Sequence, residues 1–202
     1  MKGMYSVKEI FYSIQGEGYY AGRPAVFCRF TGCNLWSGKE EDRQKSLCSF
    51  CDTDFVGTDG TDGGLYENAA LLAKRISRHW PRHAEHRFVV CTGGEPLLQM
   101  DEAFIDALHD AAFEIAVETN GTIVAPGGIN WISVSPKAGV DLKQTSGDEL
   151  KLVYPQVGAE PESYEKFKFR HYFLQPMDGP GHEEATRLAL NYVLANPRWR
   201  IS

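Results

Sequence analysis

The chain has 202 residues, of which 43% are hydrophobic and 12% aromatic, so it can bury a core and is too apolar for a disordered chain. Its formal net charge is −6, and its longest charged run, residues 39–43, mixes both signs, so no basic face predicts nucleic-acid binding. No apolar stretch predicts a membrane span or a signal peptide. These properties predict a single cytoplasmic domain, residues 1–202, that acts on a small molecule without a membrane or nucleic-acid partner.

Short apolar strands and amphipathic helices alternate along the chain. Val26–Phe30 predicts a strand that runs directly into Cys33, and residues 34–47, with six charges in fourteen residues, predict a loop insert. Apolar residues at helical spacing predict one helix over residues 69–80 and another that begins after Asp101 as its cap. Further apolar segments predict the remaining strands, at residues 88–92, 115–118, 132–135, 150–154 and 172–174, and a last helix over residues 185–192. This alternation predicts an α/β fold with a mostly parallel sheet.

Five polar or reactive clusters each follow a predicted strand. They are Cys33, residues 93–95, residues 118–120, residues 135–137 and residues 175–177. Sites in parallel α/β folds form at the carboxyl ends of the strands. We therefore expect these clusters to converge on one rim of the sheet.

The five cysteines divide into two kinds. Cys28 and Cys91 lie within apolar strands, where a thiol behaves as a small hydrophobe. Cys33, Cys48 and Cys51 lie in polar loop sequence with the spacing C-x14-C-x2-C. Three thiolates can bind three irons of a [4Fe–4S] cluster and leave the fourth iron open. A structural zinc ion is the alternative, although zinc normally takes four ligands and this loop contains no further Cys or His.

Two glycines and a glutamate follow the strand predicted at residues 88–92. Gly93 and Gly94 have no Cβ, so they let a ligand approach the backbone closely. The Glu95 carboxylate can accept hydrogen bonds from an ammonium group. Beside a three-cysteine loop, this segment suits a site for the amino-acid end of S-adenosylmethionine (SAM).

The combination resembles the radical SAM enzymes, and most closely their 7-carboxy-7-deazaguanine synthase family, some members of which carry an expanded cluster loop. The loop here is longer than is usual in radical SAM enzymes, whereas Phe50 matches the aromatic residue usual before the third cysteine. The motifs that carry the resemblance keep one order along nearly the whole chain. They are IFYSIQGEG (10–18), FTGCNL (30–35), CDT (51–53), TGGEPL (92–97), ETNG (118–121), SVSPK (133–137) and QPMDG (175–179).

The resemblance implies conversion of 6-carboxy-5,6,7,8-tetrahydropterin to 7-carboxy-7-deazaguanine, with loss of ammonia, in the biosynthesis of queuosine and other deazapurines. Its implied fold is a partial, modified radical SAM (β/α) barrel with mostly parallel strands. Its implied cofactors are a [4Fe–4S] cluster, SAM and Mg²⁺. A one-electron donor such as flavodoxin and a homodimer are implied as well.

The resemblance also implies roles for individual residues. Cys33, Cys48 and Cys51 would bind the cluster, and Thr53 would bind Mg²⁺. The residues implied for SAM are Phe50, Gly93, Gly94, Glu95, Glu118, Asn120, Ser135, Lys137 and Gln175. The residues implied for the pterin are Gln15, Glu17, Arg29 and Thr92.

Other interpretations stay open at this point. A glycyl-radical activating enzyme is another compact radical SAM class, but its substrate is a protein, and a zinc-bearing binding module would have no catalysis. For single residues, Arg29 can form a salt bridge only, Lys137 can be a solvated loop residue, and Asp52 with Thr53 can cap a turn.

Overall fold

The computed structural model describes residues 4–202, and over that range the strands form one nine-stranded sheet. The strands are β1 (Tyr5–Ile14), β2 (Pro24–Phe30), β3 (Gly64–Tyr66), β4 (Phe88–Gly93), β5 (Glu114–Thr119), β6 (Trp131–Val134), β7 (Ser146–Tyr154), β8 (Lys168–Pro176) and β9 (Trp199–Ile201). Their order across the sheet is β3-β1-β2-β4-β5-β6-β7-β8-β9.

The sheet is parallel over most of its width. β1 pairs antiparallel with both β2 and β3, whereas every neighbouring pair from β2 to β9 is parallel. β3 and β9 are its edges, so the sheet is not closed. This is the expected α/β fold, with the partial barrel in an open form.

Three α-helices within residues 4–202 cover the sheet: α1 (Ala69–His79), α2 (Glu102–Asp110) and α3 (His182–Ala195). The Asp101 side chain accepts a hydrogen bond from the Phe104 N–H at 3.0 Å, which confirms the predicted cap of α2. α1 and α2 pack against each other, α1 also contacts β1, and α2 contacts β5. α3 packs on β8 and β9.

The sequence patterns did not predict β1, β3 or β9. The pairing of β1 with β2 shifts register between Val7 and Glu9, and such a bulge interrupts the alternation of inward and outward residues. β3 and β9 contain three residues each, too few to carry a periodic pattern. β1 and β3 also lie outside the parallel βα units from which the fold class was predicted, whereas β9 follows α3 and pairs parallel with β8.

The core contains the two cysteines predicted to be structural. Cys28 of β2 and Cys91 of β4 are register neighbours, and neither is exposed to solvent. Burial raises the pKa of both thiols, so they stay neutral and pack as small hydrophobes. None of the helices that the structure describes is long and apolar enough to cross a membrane.

Candidate active site

An open cavity of about 820 Å³ is lined by residues of several strands and of the loops that carry the cysteines. The five predicted clusters contribute to its wall, as the carboxyl-end rule for parallel strands requires. The predicted site residues that line it are Gln15, Glu17, Arg29, Cys33, Cys48, Phe50, Cys51, Thr53, Thr92, Gly93, Gly94, Glu118, Asn120, Ser135, Lys137 and Gln175. Glu95 is the predicted residue that is not on this wall.

Gln15 and Glu17 reach the cavity from the end opposite to the cysteines. β1 is antiparallel to β2, so the loop after β1 lies beside the amino end of β2, where Ile14 pairs with Pro24. From there the Gln15 amide donates a hydrogen bond to the Glu118 carboxylate at 3.0 Å. The loop that carries Gln15 and Glu17 therefore approaches the cavity from the end opposite to Cys33. The other two residues expected to bind the substrate, Arg29 and Thr92, are register neighbours near the carboxyl ends of β2 and β4. Glu118, which is expected to bind SAM, is the partner of Gln15.

The three loop cysteines meet at the other end of the cavity. Cys48 is buried, and Cys33 and Cys51 are half-buried. A hydrogen bond from the Cys48 thiol lowers the pKa of Cys51 to about 6. Within residues 4–202, no three His, Cys, Asp or Glu side chains are grouped closely enough to hold a single metal ion. A [4Fe–4S] cubane presents a different iron to each thiolate, so three thiols around one cavity suit it.

The insert at residues 34–47 closes on itself. It begins where the Cys33 sulfur accepts the Leu35 N–H and ends where the Leu47 N–H donates to the Leu35 carbonyl at 3.2 Å. Closing a loop of fourteen residues costs about 1.4 kcal/mol more than closing a loop of three, because the entropy lost on loop closure grows with the logarithm of loop length. The buried side chains of Leu35 and Trp36 help to offset this cost and bring Cys48 back beside Cys33.

Gly93, the last residue of β4, and Gly94 have a structural reason to be glycine that the sequence interpretation missed. A Cβ on Gly93 would lie 2.3 Å from the Phe30 carbonyl oxygen, and one on Gly94 would lie 2.0 Å from the Gly32 carbonyl oxygen. The Glu95 N–H also donates to Gly32 at 2.8 Å. The space that a Cβ would need at either glycine is therefore occupied by the backbone that leads to Cys33, and the glycines let that backbone pack closely.

The Glu95 carboxylate already has partners within the chain, and its contact with the SAM ammonium stays a prediction. Glu95 is fully buried, and its carboxylate accepts hydrogen bonds from the Leu97 N–H, the Thr119 hydroxyl and the Asn120 N–H at 2.8–3.0 Å. Burial raises the pKa of Glu95, and these hydrogen bonds partly oppose the shift. The carboxylate joins the end of β4 to the end of β5, so its observed role is to hold Asn120 at the cavity.

One residue expected to bind SAM has an unpaired hydrogen-bonding atom, and another has its partners within the chain. The Gln175 Oε1 atom is buried and has no hydrogen-bond partner among residues 4–202. Because an unsatisfied buried acceptor costs about 1–3 kcal/mol, this atom fits a ligand that brings a donor. The Lys137 ammonium donates to the carbonyl and the hydroxyl of Ser135 at 2.6 and 2.7 Å, so it is not the solvated lysine of the alternative interpretation. Burial lowers the pKa of Lys137, against the charges of Cys48 and Cys51.

A charged network that the sequence interpretation missed lies at the substrate end. Lys151 on β7 is 7% exposed; its ammonium contacts the Glu17 carboxylate and lies 3.7 Å from Glu118 Oε1. Burial would raise the pKa of Glu118, but Lys151 and hydrogen bonds from Thr92 and Gln15 outweigh it and hold that pKa below its ordinary value. A lysine inside an apolar strand was the signal that would have revealed this network.

Arg29 and Thr53 have partners within the chain. The Arg29 Nε donates to Glu9 at 2.9 Å, so the predicted salt bridge exists and orients a guanidinium that lines the cavity. The Thr53 hydroxyl lies 3.4 Å from an Asp52 carboxylate oxygen, a weak contact that leaves it on the cavity wall. Glu9 is a second residue that the sequence interpretation did not select.

An open, mostly parallel sheet with three cysteine thiols at its carboxyl edge is the arrangement of a radical SAM enzyme. A comparison with models of protein families gave no match. Among curated proteins, the chain is 59% identical to the 7-carboxy-7-deazaguanine synthase of Caulobacter vibrioides and 60% identical to that of Bradyrhizobium diazoefficiens. Each alignment covers 198 residues, 98% of this chain and 94% of the relative.

The solved structures agree with these relatives. The crystal structure of QueE from Escherichia coli superposes with a TM-score of 0.70 at 26% identity, over 98% of this chain and 92% of that one. A further relative, the 7-carboxy-7-deazaguanine synthase of Burkholderia multivorans, is 56% identical over the same share of the chain. The chain belongs to the 7-carboxy-7-deazaguanine synthase family.

Proposed function

We propose that this chain is a radical SAM enzyme that converts 6-carboxy-5,6,7,8-tetrahydropterin to 7-carboxy-7-deazaguanine with loss of ammonia. The observation that carries the proposal is the meeting of motifs from residue 15 to residue 175 around one cavity, in a chain whose relatives bear that name. A cavity of about 820 Å³ has the size of a small-molecule site. This favours the synthase over a glycyl-radical activating enzyme.

The cofactor end would hold a [4Fe–4S] cluster and SAM. Cys33, Cys48 and Cys51 are the cluster ligands in this proposal, and the fourth iron stays open to SAM. Gln175 would hold SAM through its unpaired Oε1 atom, and Asn120, Glu118 and Glu95 stay in the set proposed for SAM. The Asn120 side chain is already bonded to Asn34 and Thr122, and Gly93 and Gly94 line the same cavity. Phe50, Ser135 and Lys137 complete that wall. When bound, the cluster and SAM supply the one-electron chemistry that removes hydrogen from an unactivated carbon.

The substrate end would bind the pterin through fixed polar groups. Glu17, held by Lys151, and Gln15, held by Glu118, present an acceptor and an amide to the pyrimidine edge. The Arg29 guanidinium, oriented by its Nε bond to Glu9, would pair with the substrate carboxylate through its planar fork. These contacts would orient the carbon that loses hydrogen.

Three further features belong to the same proposal. Thr53 would ligate Mg²⁺, which takes few protein ligands and completes its octahedron with water and substrate oxygens. The Thr53 hydroxyl on the cavity wall supports this role. An electron donor such as flavodoxin and a homodimer complete the proposal on the strength of the family resemblance.

The deciding experiment is an anaerobic assay of the reconstituted protein with SAM, dithionite and the carboxypterin. We expect about four irons per chain and formation of the deazaguanine with release of ammonia. Cys48→Ala should abolish turnover, whereas Cys91→Ala, a change in the core, should lower stability and keep the iron. Zinc in place of iron would support the binding module. A cluster that cleaves SAM without product from the pterin would reject the proposed substrate.

A further inference from the structure

The guanidinium of Arg43 spans the turn between the second and third cysteines. Arg43 belongs to the short 3-10 helix Glu40–Lys45 within the insert. Its Nη1 atom donates hydrogen bonds to the carbonyl oxygens of Ser49 and Cys51, each at 2.9 Å. These carbonyls stand on either side of Phe50, so one cation holds both ends of the segment that carries Cys51.

Arg43 is itself fixed by the insert. Its Nε and Nη2 atoms donate to the two carboxylate oxygens of Glu40 at 2.7 and 2.5 Å. The guanidinium lies over the Trp36 ring, 4.1 Å from its centroid. Trp36 is 6% exposed, its indole N–H donates to the Lys39 carbonyl, and its ring meets the edge of Phe55. Only the planar, five-donor guanidinium can satisfy a carboxylate, a ring face and two carbonyls at once.

We propose that Arg43 is a positioning residue for the iron–sulfur cluster, which holds the turn from Cys48 to Cys51 in its ligating shape and adds a positive charge beside the thiolates. The inference rests on the proposed function, because it takes these cysteines as the cluster ligands. It also gives the insert at residues 34–47 a role. The long loop brings a side chain that a short loop could not, and that side chain organises the other two ligands.

Two measurable properties follow from this geometry. A turn that is already in shape loses little freedom when it binds iron, so the cluster should assemble readily and leave slowly. Reduction of the cluster adds one electron and therefore one negative charge, and a nearby cation favours the reduced form. The Arg43 charge lies one hydrogen bond from the Cys51 carbonyl, so its removal should move the midpoint potential to a more negative value.

The test compares two substitutions at Arg43 with one at a matched arginine. Arg43→Lys keeps the charge and loses the fork, whereas Arg43→Met loses both. Arg187→Met is the control, because Arg187 pairs with Glu184 at the same i,i+3 spacing and the same 2.7 and 2.5 Å distances, on the exposed face of α3. Each protein is reconstituted anaerobically without substrate. Iron per chain, the rate at which a chelator bleaches the visible absorption, and the midpoint in an EPR-monitored dithionite titration are measured.

We expect the chelator to bleach Arg43→Met and Arg43→Lys several-fold faster than the native protein and Arg187→Met. The midpoint should shift to a more negative potential in Arg43→Met and stay near the native value in Arg43→Lys. Thermal unfolding of the apoproteins shows whether each variant is folded. If Arg43→Met is unfolded, the retention of iron by Arg43→Lys decides the result. Native retention and potential in both Arg43 variants would overturn the inference. A native protein that takes up no iron would overturn the proposed function as well.

Discussion

Lys151 is the buried cation between the Glu17 and Glu118 carboxylates, so the stability lost on removing it can be worked out. Lys151→Met keeps most of the buried stem and removes the ammonium between Glu17 and Glu118. Breaking a buried ion pair from one side costs about 3–5 kcal/mol, because the partner charge stays buried. The Glu17 side chain is 45% exposed, and Glu118 keeps its bonds from Thr92 and Gln15. We therefore expect a loss near the lower limit, about 3 kcal/mol of unfolding free energy.

The loss should depend on pH in one direction. Lys151 and two hydrogen bonds hold the pKa of Glu118 below its ordinary 4.5 against the effect of burial. An acid whose pKa is lowered by folding contributes stability above its unfolded pKa, and that contribution disappears as the pH falls through the folded value. Without the lysine, burial prevails and the pKa of Glu118 rises. The native protein and Lys151→Met should therefore differ most at neutral pH and converge well below pH 4.5.

Denaturant unfolding of the apoproteins measures this difference, and a variant that breaks a second ion pair is the control. Arg23→Met removes the cation that pairs with Glu114 at the amino end of β5, far from the carboxyl-end position of Glu118. Both variants should lose stability, but only Lys151→Met should raise the KM for the carboxypterin, since Glu17 is no longer held. The double variant Lys151→Met/Glu118→Gln should be less destabilised than the sum of its parts. Additivity within about 0.5 kcal/mol would refute the coupling.

Three further predictions concern other sites. Glu95→Gln places an amide donor against the Asn120 N–H, so the unfolding free energy of the apoprotein should fall by about 1–3 kcal/mol. Unchanged stability together with weaker SAM binding would instead support a direct contact of Glu95 with the SAM ammonium. Thr53→Ala should raise the Mg²⁺ concentration needed for turnover and leave iron content and SAM binding intact, and full activity of the chelated native enzyme would defeat it. A hydrogen bond from Arg23 holds the pKa of Glu114 below 4.5, so Glu114 stabilises the fold only above that pH range. The native protein should therefore melt at a higher temperature than Glu114→Gln at neutral pH, and this difference should vanish as the pH falls below 4.5. A difference that does not change with pH would contradict the pairing.

The sequence predicted the parallel part of the sheet because buried strands carry strong local patterns. Each apolar run from residue 88 to residue 174 corresponds to a strand between β4 and β8. The antiparallel strand β1 escaped prediction because its bulge breaks the alternation, although its residues lead into the Gln15 motif. A bulge depends on the partner strand, and partners distant in the chain are not visible in a local pattern. The rim was therefore easier to predict than the opposite end of the cavity.

The site prediction was limited in a different way, because a residue type does not reveal which way its side chain turns. The position of Glu95 after two glycines suggested a ligand contact, yet its carboxylate accepts hydrogen bonds from three donors of its own chain. Lys151 lies between Leu150 and Leu152 in an apolar part of β7, yet its side chain lines the cavity. A buried charge must find partners, and those partners come from strands that are distant in sequence. Glu149 and Lys151 within β7 were thus the strongest unused signal, because charged side chains in a buried strand need a partner of opposite charge or a functional site.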